Sequence, residues 1–165
     1  MPRLDLAAAP VKTGSIYPEP FAGQMAGRSS LRLGDLAGLT QFGVNMVTLE
    51  PGAAASLRHW HLREDEFALV LEGDLVLVEN DAEAVMRTGD CAAWKAGLAN
   101  GHRFVNRSEH VARFLVVGAK AADEVVTYAD TDLQLHLAGG SARFTHHDGS
   151  DWTGPRDLAP KGETQ

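Results

Sequence analysis

Residues 52–73, GAAASLRHWHLREDEFALVLEG, decide how this chain is read. His59 and His61 stand two positions apart, and residues i and i+2 of a strand point to the same side, so both imidazoles face one space. Trp60, between them, faces away to pack on an outer layer or a partner, and Arg58 shares that parity, where it suits a salt bridge. Glu66 heads an apolar run, Phe67 to Leu71, that stops at Gly73. Much later His102 opens another strand-like run, with Asn106 four residues on. Two histidines on one strand, a carboxylate on the next and a third histidine on a distant strand can converge inside a small barrel. Imidazole with carboxylate suits zinc, iron, nickel, copper or manganese and disfavours calcium and magnesium. Three nitrogens and one oxygen leave a position for water or substrate, as a catalytic metal needs.

Outward from that stretch, short β-rich runs recur. They cover 43–49, 66–71, 74–79, 82–87, 91–94, 102–106 and 112–117, and 124–128 and 133–137 extend the series. Pro51-Gly52, Gly73-Asp74, Asn80-Asp81, Gly89-Asp90 and Gly97 separate them, the residue types that turns demand. Strands at this spacing predict an all-β sandwich or barrel. Leu31 to Leu39 is the best helix candidate, and a short one. Several strands are apolar on both faces, which in an antiparallel protein means that a second sheet or a partner subunit covers each face. The barrel interior is expected to hold Met46, Phe67, Leu69, Val85, Phe104 and Phe114, or their neighbours by parity. Residues 1–42 read as an arm on the barrel or a partner, 43–149 as the barrel and 150–165 as a polar tail.

The 165 residues are 44% hydrophobic, enough for one domain with a proper core. Fifteen basic against twenty-two acidic residues give a formal charge of −7, which repels phosphate backbones and argues against a nucleic-acid partner. No apolar run approaches the ~20 residues of a membrane span. Asp5 interrupts the short apolar patch at the N-terminus, so a cytoplasmic location is expected. The single cysteine, Cys91, excludes an internal disulfide and a cysteine-based zinc cluster.

Here the residues spell a known pattern. Gly52, six residues, His59-x-His61, four residues, Glu66, six residues and Gly73 resemble the first signature of the cupin superfamily, with the first gap one residue longer than usual. Gly89-Asp90, Gly97 and His102-x-x-x-Asn106 resemble the second. Lys95 replaces the proline usual before its glycine, and the interval from Gly97 to the histidine is two residues longer. Counting forward puts Asn100 in the histidine's place; counting back from Asn106 restores His102, and only an imidazole has the required affinity for a transition metal. The resemblance implies a double-stranded β-helix, or jelly-roll barrel, and the ligands His59, His61, Glu66 and His102 for one divalent transition metal per chain, zinc, iron, manganese or nickel. It implies an enzyme acting on a small organic molecule, of dioxygenase, isomerase or lyase/decarboxylase type, with Glu66 either remaining a ligand or acting as a base. A non-catalytic ligand- or metal-binding module is the alternative. A metal-free epimerase with a His–Tyr pair is disfavoured, because Tyr17 and Tyr128 lie outside the motifs. A homodimer that uses the N-terminal arm is also implied.

Other residues have blander readings. Glu64 and Asp65 compete with Glu66, but only Glu66 keeps the six-residue gap to Gly73. Cys91 reads as a small buried hydrophobe and Lys95 as a surface lysine near the barrel mouth. His146 and His147 point to opposite faces of a strand and are expected in solvent with Asp148. His110 and His136 are ordinary surface or packing residues. Asn106 supports its strand or the shell around the ligands.

Overall fold

The structure, a computed structural model, describes residues 3–154; most of the expected tail lies outside them. In chain order the strands are β1 (Val11–Thr13), β2 (Arg28–Arg32), β3 (Phe42–Leu49), β4 (His59–His61), β5 (Glu66–Glu72), β6 (Leu75–Val78), β7 (Glu83–Met86), β8 (Cys91–Trp94), β9 (Arg103–Val105), β10 (Ala112–Ala119), β11 (Asp123–Tyr128), β12 (Leu133–Ala138) and β13 (Ser141–Thr145). The helix candidate is a single turn, α1 (Leu33–Leu36). Gly38, at positive φ, follows it closely and cuts it short.

A six-stranded antiparallel sheet, β1-β2-β3-β10-β5-β8, faces a four-stranded sheet, β13-β12-β11-β4, and a three-stranded one, β7-β6-β9. The all-β barrel expected from the sequence is what forms. The N-terminal segment adds two strands to the large sheet: Val11–Thr13 pairs with β2, and β2 pairs along β3 from Arg28↔Leu49 to Arg32↔Asn45. Two apolar clusters fill the interior. One holds Val47, Leu49, Val70, Leu75, Leu77, Phe104 and Phe114, and the other Tyr17, Met25, Leu57, Val126, Tyr128, Leu133, Leu135 and Phe144.

Strand parity sorts the expected interior. Phe104 and Phe114 are buried, whereas Phe67 is 40% and Val85 53% exposed, and Val47, Ala68, Val70 and Met86 take the inward places. Cys91 is exposed, not buried, because Ala92 and Trp94 are the inward residues of β8. Arg58 does pair, its Nε donating to both Asp130 oxygens at 3.1 Å.

Two glycines are required where they stand. Gly73 has φ +74°, and a Cβ there would sit 2.9 Å from the Val111 carbonyl oxygen. Gly101 would put a Cβ 2.7 Å from that of Ala129. It therefore lets the chain just before His102 press against the 58–130 loop cluster.

Candidate metal centre

β4 and the start of β9 lie side by side as an isolated antiparallel bridge, His59↔His102. The His59 amide donates to the His102 carbonyl at 3.1 Å, and the His102 amide returns the bond at 2.9 Å. Backbone pairing thus brings the first and last histidines of the motif together across 43 positions of sequence (102 minus 59). Their ring centroids are 5.1 Å apart, and those of His59 and His61 are 5.0 Å apart. Glu66, first residue of β5, faces them across the barrel, with Oε2 3.2 Å from His61 Nε2 and Oε1 3.8 Å from His102 Nε2. One nitrogen each of His59 and His61 and an oxygen of Glu66 lie within 4.8 Å of one another.

The ring tautomers are fixed from behind. His59 Nδ1 meets the Leu57 carbonyl at 2.9 Å and His102 Nδ1 the Asn100 carbonyl at 3.1 Å. A carbonyl only accepts, so each Nδ1 carries the proton and each Nε2 presents a lone pair. His102 is buried, and its Nε2 has no hydrogen-bond partner. At 3.8 Å the Glu66 oxygen is too far for a hydrogen bond, and it too is an acceptor. Acceptors converging on one buried point are costly unless a cation sits among them. The donor set therefore fits a transition metal, which His59, His61 and Glu66 could hold with His102 beside them.

The electrostatics differ from one histidine to the next. Burial pushes His59 down to about 4, so it is neutral at neutral pH. Burial also works against the charged forms of His61 and Glu66. On the Glu66 side the nearby His102 and His61 outweigh it, with His59 adding, and on the His61 side Glu66 outweighs it, with Glu124 and Glu64 adding. His61 is raised, and Glu66 is held well below the usual carboxylate range.

Neighbouring residues hold these side chains in place. The Trp94 ring stacks on His102 at 3.9 Å and 7°. Its indole N–H donates to Glu79 Oε1 at 3.1 Å, which also accepts from Asn100 Nδ2 at 2.7 Å. Asn100, the residue a forward count puts in the histidine's place, thus orients His102 through its carbonyl. Glu124, 1% exposed, accepts from the amides of Leu62 at 2.8 Å, Arg63 at 3.0 Å and Val125 at 2.6 Å, pinning the turn after His61. Asn106, fully buried, donates to the Leu49 and His110 carbonyls at 2.9 and 2.8 Å and accepts from Ser108, so it braces the end of its strand.

A cavity of about 390 Å³ opens beside the histidines, and His59, Glu66 and His102 line it. Tyr17 and Tyr128, though far from the motifs in sequence, both stand in its wall, edge to face with centroids 5.2 Å apart. Arg28, Asn45 and Glu64 line it as well. Of these only Glu64 lies within a motif; strand parity placed Asn45, pairing of β11 with β4 brought in Tyr128, and the N-terminal segment supplied Tyr17 and Arg28. Lys95 is exposed and outside the lining. His146 and His147 sit away from the cavity against Asp132, His110 is exposed, and His136 Nε2 lies 3.0 Å from Thr145 Oγ1.

Comparison with known proteins agrees with this architecture. Residues 45–118 match the family model described as a cupin domain. A Silicibacter pomeroyi crystal structure, described as a sugar phosphate isomerase from a cupin superfamily, is 51% identical over 92% of this chain and 97% of that one, with a TM-score of 0.89. The chain belongs to the cupin superfamily. A second structure, a provisionally named sugar phosphate isomerase from Acidithiobacillus ferrooxidans, is 26% identical to this cupin, covering 72% of it and 76% of the other chain at a TM-score of 0.68. The polyketide cyclase RemF of Streptomyces resistomycificus, 24% identical over 72% of this cupin and 79% of its own chain with a TM-score of 0.56, shares the fold. Comparison with curated proteins finds no match. Among the described residues, no helix of this cupin is long and apolar enough to cross a membrane.

Proposed function

We propose that this cupin is a metal-dependent isomerase that interconverts the aldose and ketose forms of a phosphorylated sugar. The observation that carries the reading is the pairing of a convergent His59–His61–Glu66–His102 set with a cavity of about 390 Å³, roomy enough for such a sugar. The sugar phosphate isomerase description of the 51%-identical Silicibacter protein supports the substrate class. A divalent metal held by these residues would supply Lewis-acid polarisation of the sugar's carbonyl and hydroxyl oxygens.

Glu66 lies between His61 and His102, which suits a ligand better than a mobile base. Glu64 lines the cavity beside them, its Oε1 accepting the Ala121 amide at 2.8 Å. Burial raises its carboxyl, the direction that suits a general base. We assign Glu64 to take the C2 proton of the aldose. The C2–H electron pair becomes the enediol double bond as the C1 carbonyl opens, and the hydroxyl proton of O2 passes to O1. Glu64 then returns its proton to C1 as the O2 electron pair forms the carbonyl of the ketose.

The test is proton NMR in D2O with a panel of pentose and hexose phosphates and metal-loaded protein. Deuterium entering at the carbon next to the carbonyl is the expected result. Glu64→Gln should slow it by about 10²-fold or more with metal content unchanged. Stoichiometric metal without exchange on any substrate would overturn the isomerase reading in favour of a ligand-binding module.

We also infer a homodimer through the outer face of the large sheet. Val11, Leu31, Met46, Leu115, Leu69 and Cys91 stand in register across its six strands as one apolar row, and the N-terminal strand supplies its end.

A further inference from the structure

The cavity wall carries a charge that nothing among the described residues balances. Arg28 enters from β2. Its Nε donates to the Ala55 carbonyl at 2.7 Å, which spends one of its five N–H donors and fixes the direction of the fork. Among the described residues no carboxylate lies within ion-pair distance of it. The residue is half-buried, and desolvation lowers its basicity without neutralising it. Its titratable neighbour on the cavity side is the Tyr17 phenol, which burial pushes up to about 12 and so keeps neutral. A guanidinium held out of bulk water with no counter-ion is destabilising by itself. Its presence is explained if an anion arrives with the ligand.

Register shows that the placement is built in. Arg28 faces the barrel interior with Leu49, its partner on β3, and Ser30, two residues on, pairs with Val47 of the core. Lys12, opposite Ser30 on β1, lines the same cavity. The protein as a whole carries −7, so an anion is drawn in only where basic groups are concentrated. The planar fork of an arginine matches the paired oxygens of a phosphate better than a point charge does.

We propose that Arg28 is the anion anchor of the cavity, taking the phosphate of the sugar substrate and thereby presenting the carbon chain to the His59–His102–Glu66 side. This rests on the sugar-phosphate reading above, but its test does not need turnover. Inorganic phosphate is titrated calorimetrically into EDTA-treated, metal-free protein, so that no metal captures the probe. Wild type should bind phosphate. Arg28→Met should weaken binding by about tenfold or more, and Arg28→Lys, which keeps the charge and loses the fork, by about threefold or more. Should Arg28→Met fail to fold by circular dichroism, Arg28→Lys decides. Unchanged phosphate affinity in the folded variants, or no phosphate binding by wild type, overturns the anchor, as does Arg28-dependent binding of malonate without any of phosphate. Arg28-dependent phosphate binding in a protein that isomerises no sugar phosphate would leave the anchor standing and remove the reaction.

Discussion

Replacing Trp94 with leucine tests whether the proposed metal centre depends on a residue that touches no metal. The indole stacks face to face on His102 at 3.9 Å and is tied by its N–H to Glu79, which also holds Asn100, whose carbonyl sets the His102 tautomer. Loss of the stack removes about 0.5–1.5 kcal/mol of ring–ring contact, and the bond from the indole to a carboxylate is worth a further ~1 kcal/mol or more. What remains to orient His102 is one bond to the Asn100 carbonyl and its backbone bridge to His59. Partners of this kind typically alter metal affinity by about 10–100-fold, or roughly 1.4–2.7 kcal/mol, which matches the energy removed. Trp94→Leu should therefore still bind one metal per chain, but 10–100-fold more weakly by competition against a chelator. Trp60→Leu, on the far side of β4, should leave affinity unchanged. Circular dichroism on the metal-free proteins checks the fold. Affinity within about threefold of wild type in a folded Trp94→Leu would contradict this account, because the Asn100 carbonyl and the backbone bridge would then suffice to orient His102.

Asn106→Ala should destabilise the protein by about 2–4 kcal/mol in urea unfolding, because it leaves the Leu49 and His110 carbonyls and the Ser108 donors without their partner; a loss under about 1 kcal/mol would rule out the brace. The chain's two tyrosines are Tyr17, pushed by burial up to about 12, and Tyr128, also raised by burial and by Tyr17. Absorbance at 295 nm should thus show almost no tyrosinate in the native protein at pH 10.5 and about three-quarters of the full signal once it is unfolded. The raised pKa contributes stability that is complete below pH ~10 and is lost as pH climbs toward 12, so a native titration step near pH 10 would place a phenol in solvent. Light scattering should report a dimer that Leu115→Glu converts to a folded monomer; a wild-type monomer at 100 µM would exclude the outer-face pairing.

Much of the fold is legible in the residues themselves. Alternation and turn residues locate the strands from β3 to β12 to within a residue or two, because period-two polarity and glycine turns are local properties of the chain. The His59-x-His61 spacing fixes two imidazoles to one side for the same reason, and the distances to Glu66 and Gly73 do the rest. Parity is legible as well, but not its sign: hydrophobicity points Phe67, Val85 and Cys91 inward, and the fold turns all three outward. Only pairing with a neighbour says which of two apolar faces is the core.

Residue type and short spacing were enough to determine the all-β class, the barrel motif and a set of metal-type donors. The folded arrangement was needed to show that His102 bridges to His59, that Asn100 and Trp94 orient it, and that Arg28, Tyr17 and Glu64 wall the cavity. The bridge and the cavity wall join positions dozens of residues apart, and even Trp94 reaches His102 only across a turn. They come from strand register and crossover, which the hydrogen bonding of the closed sheets sets and no local pattern encodes.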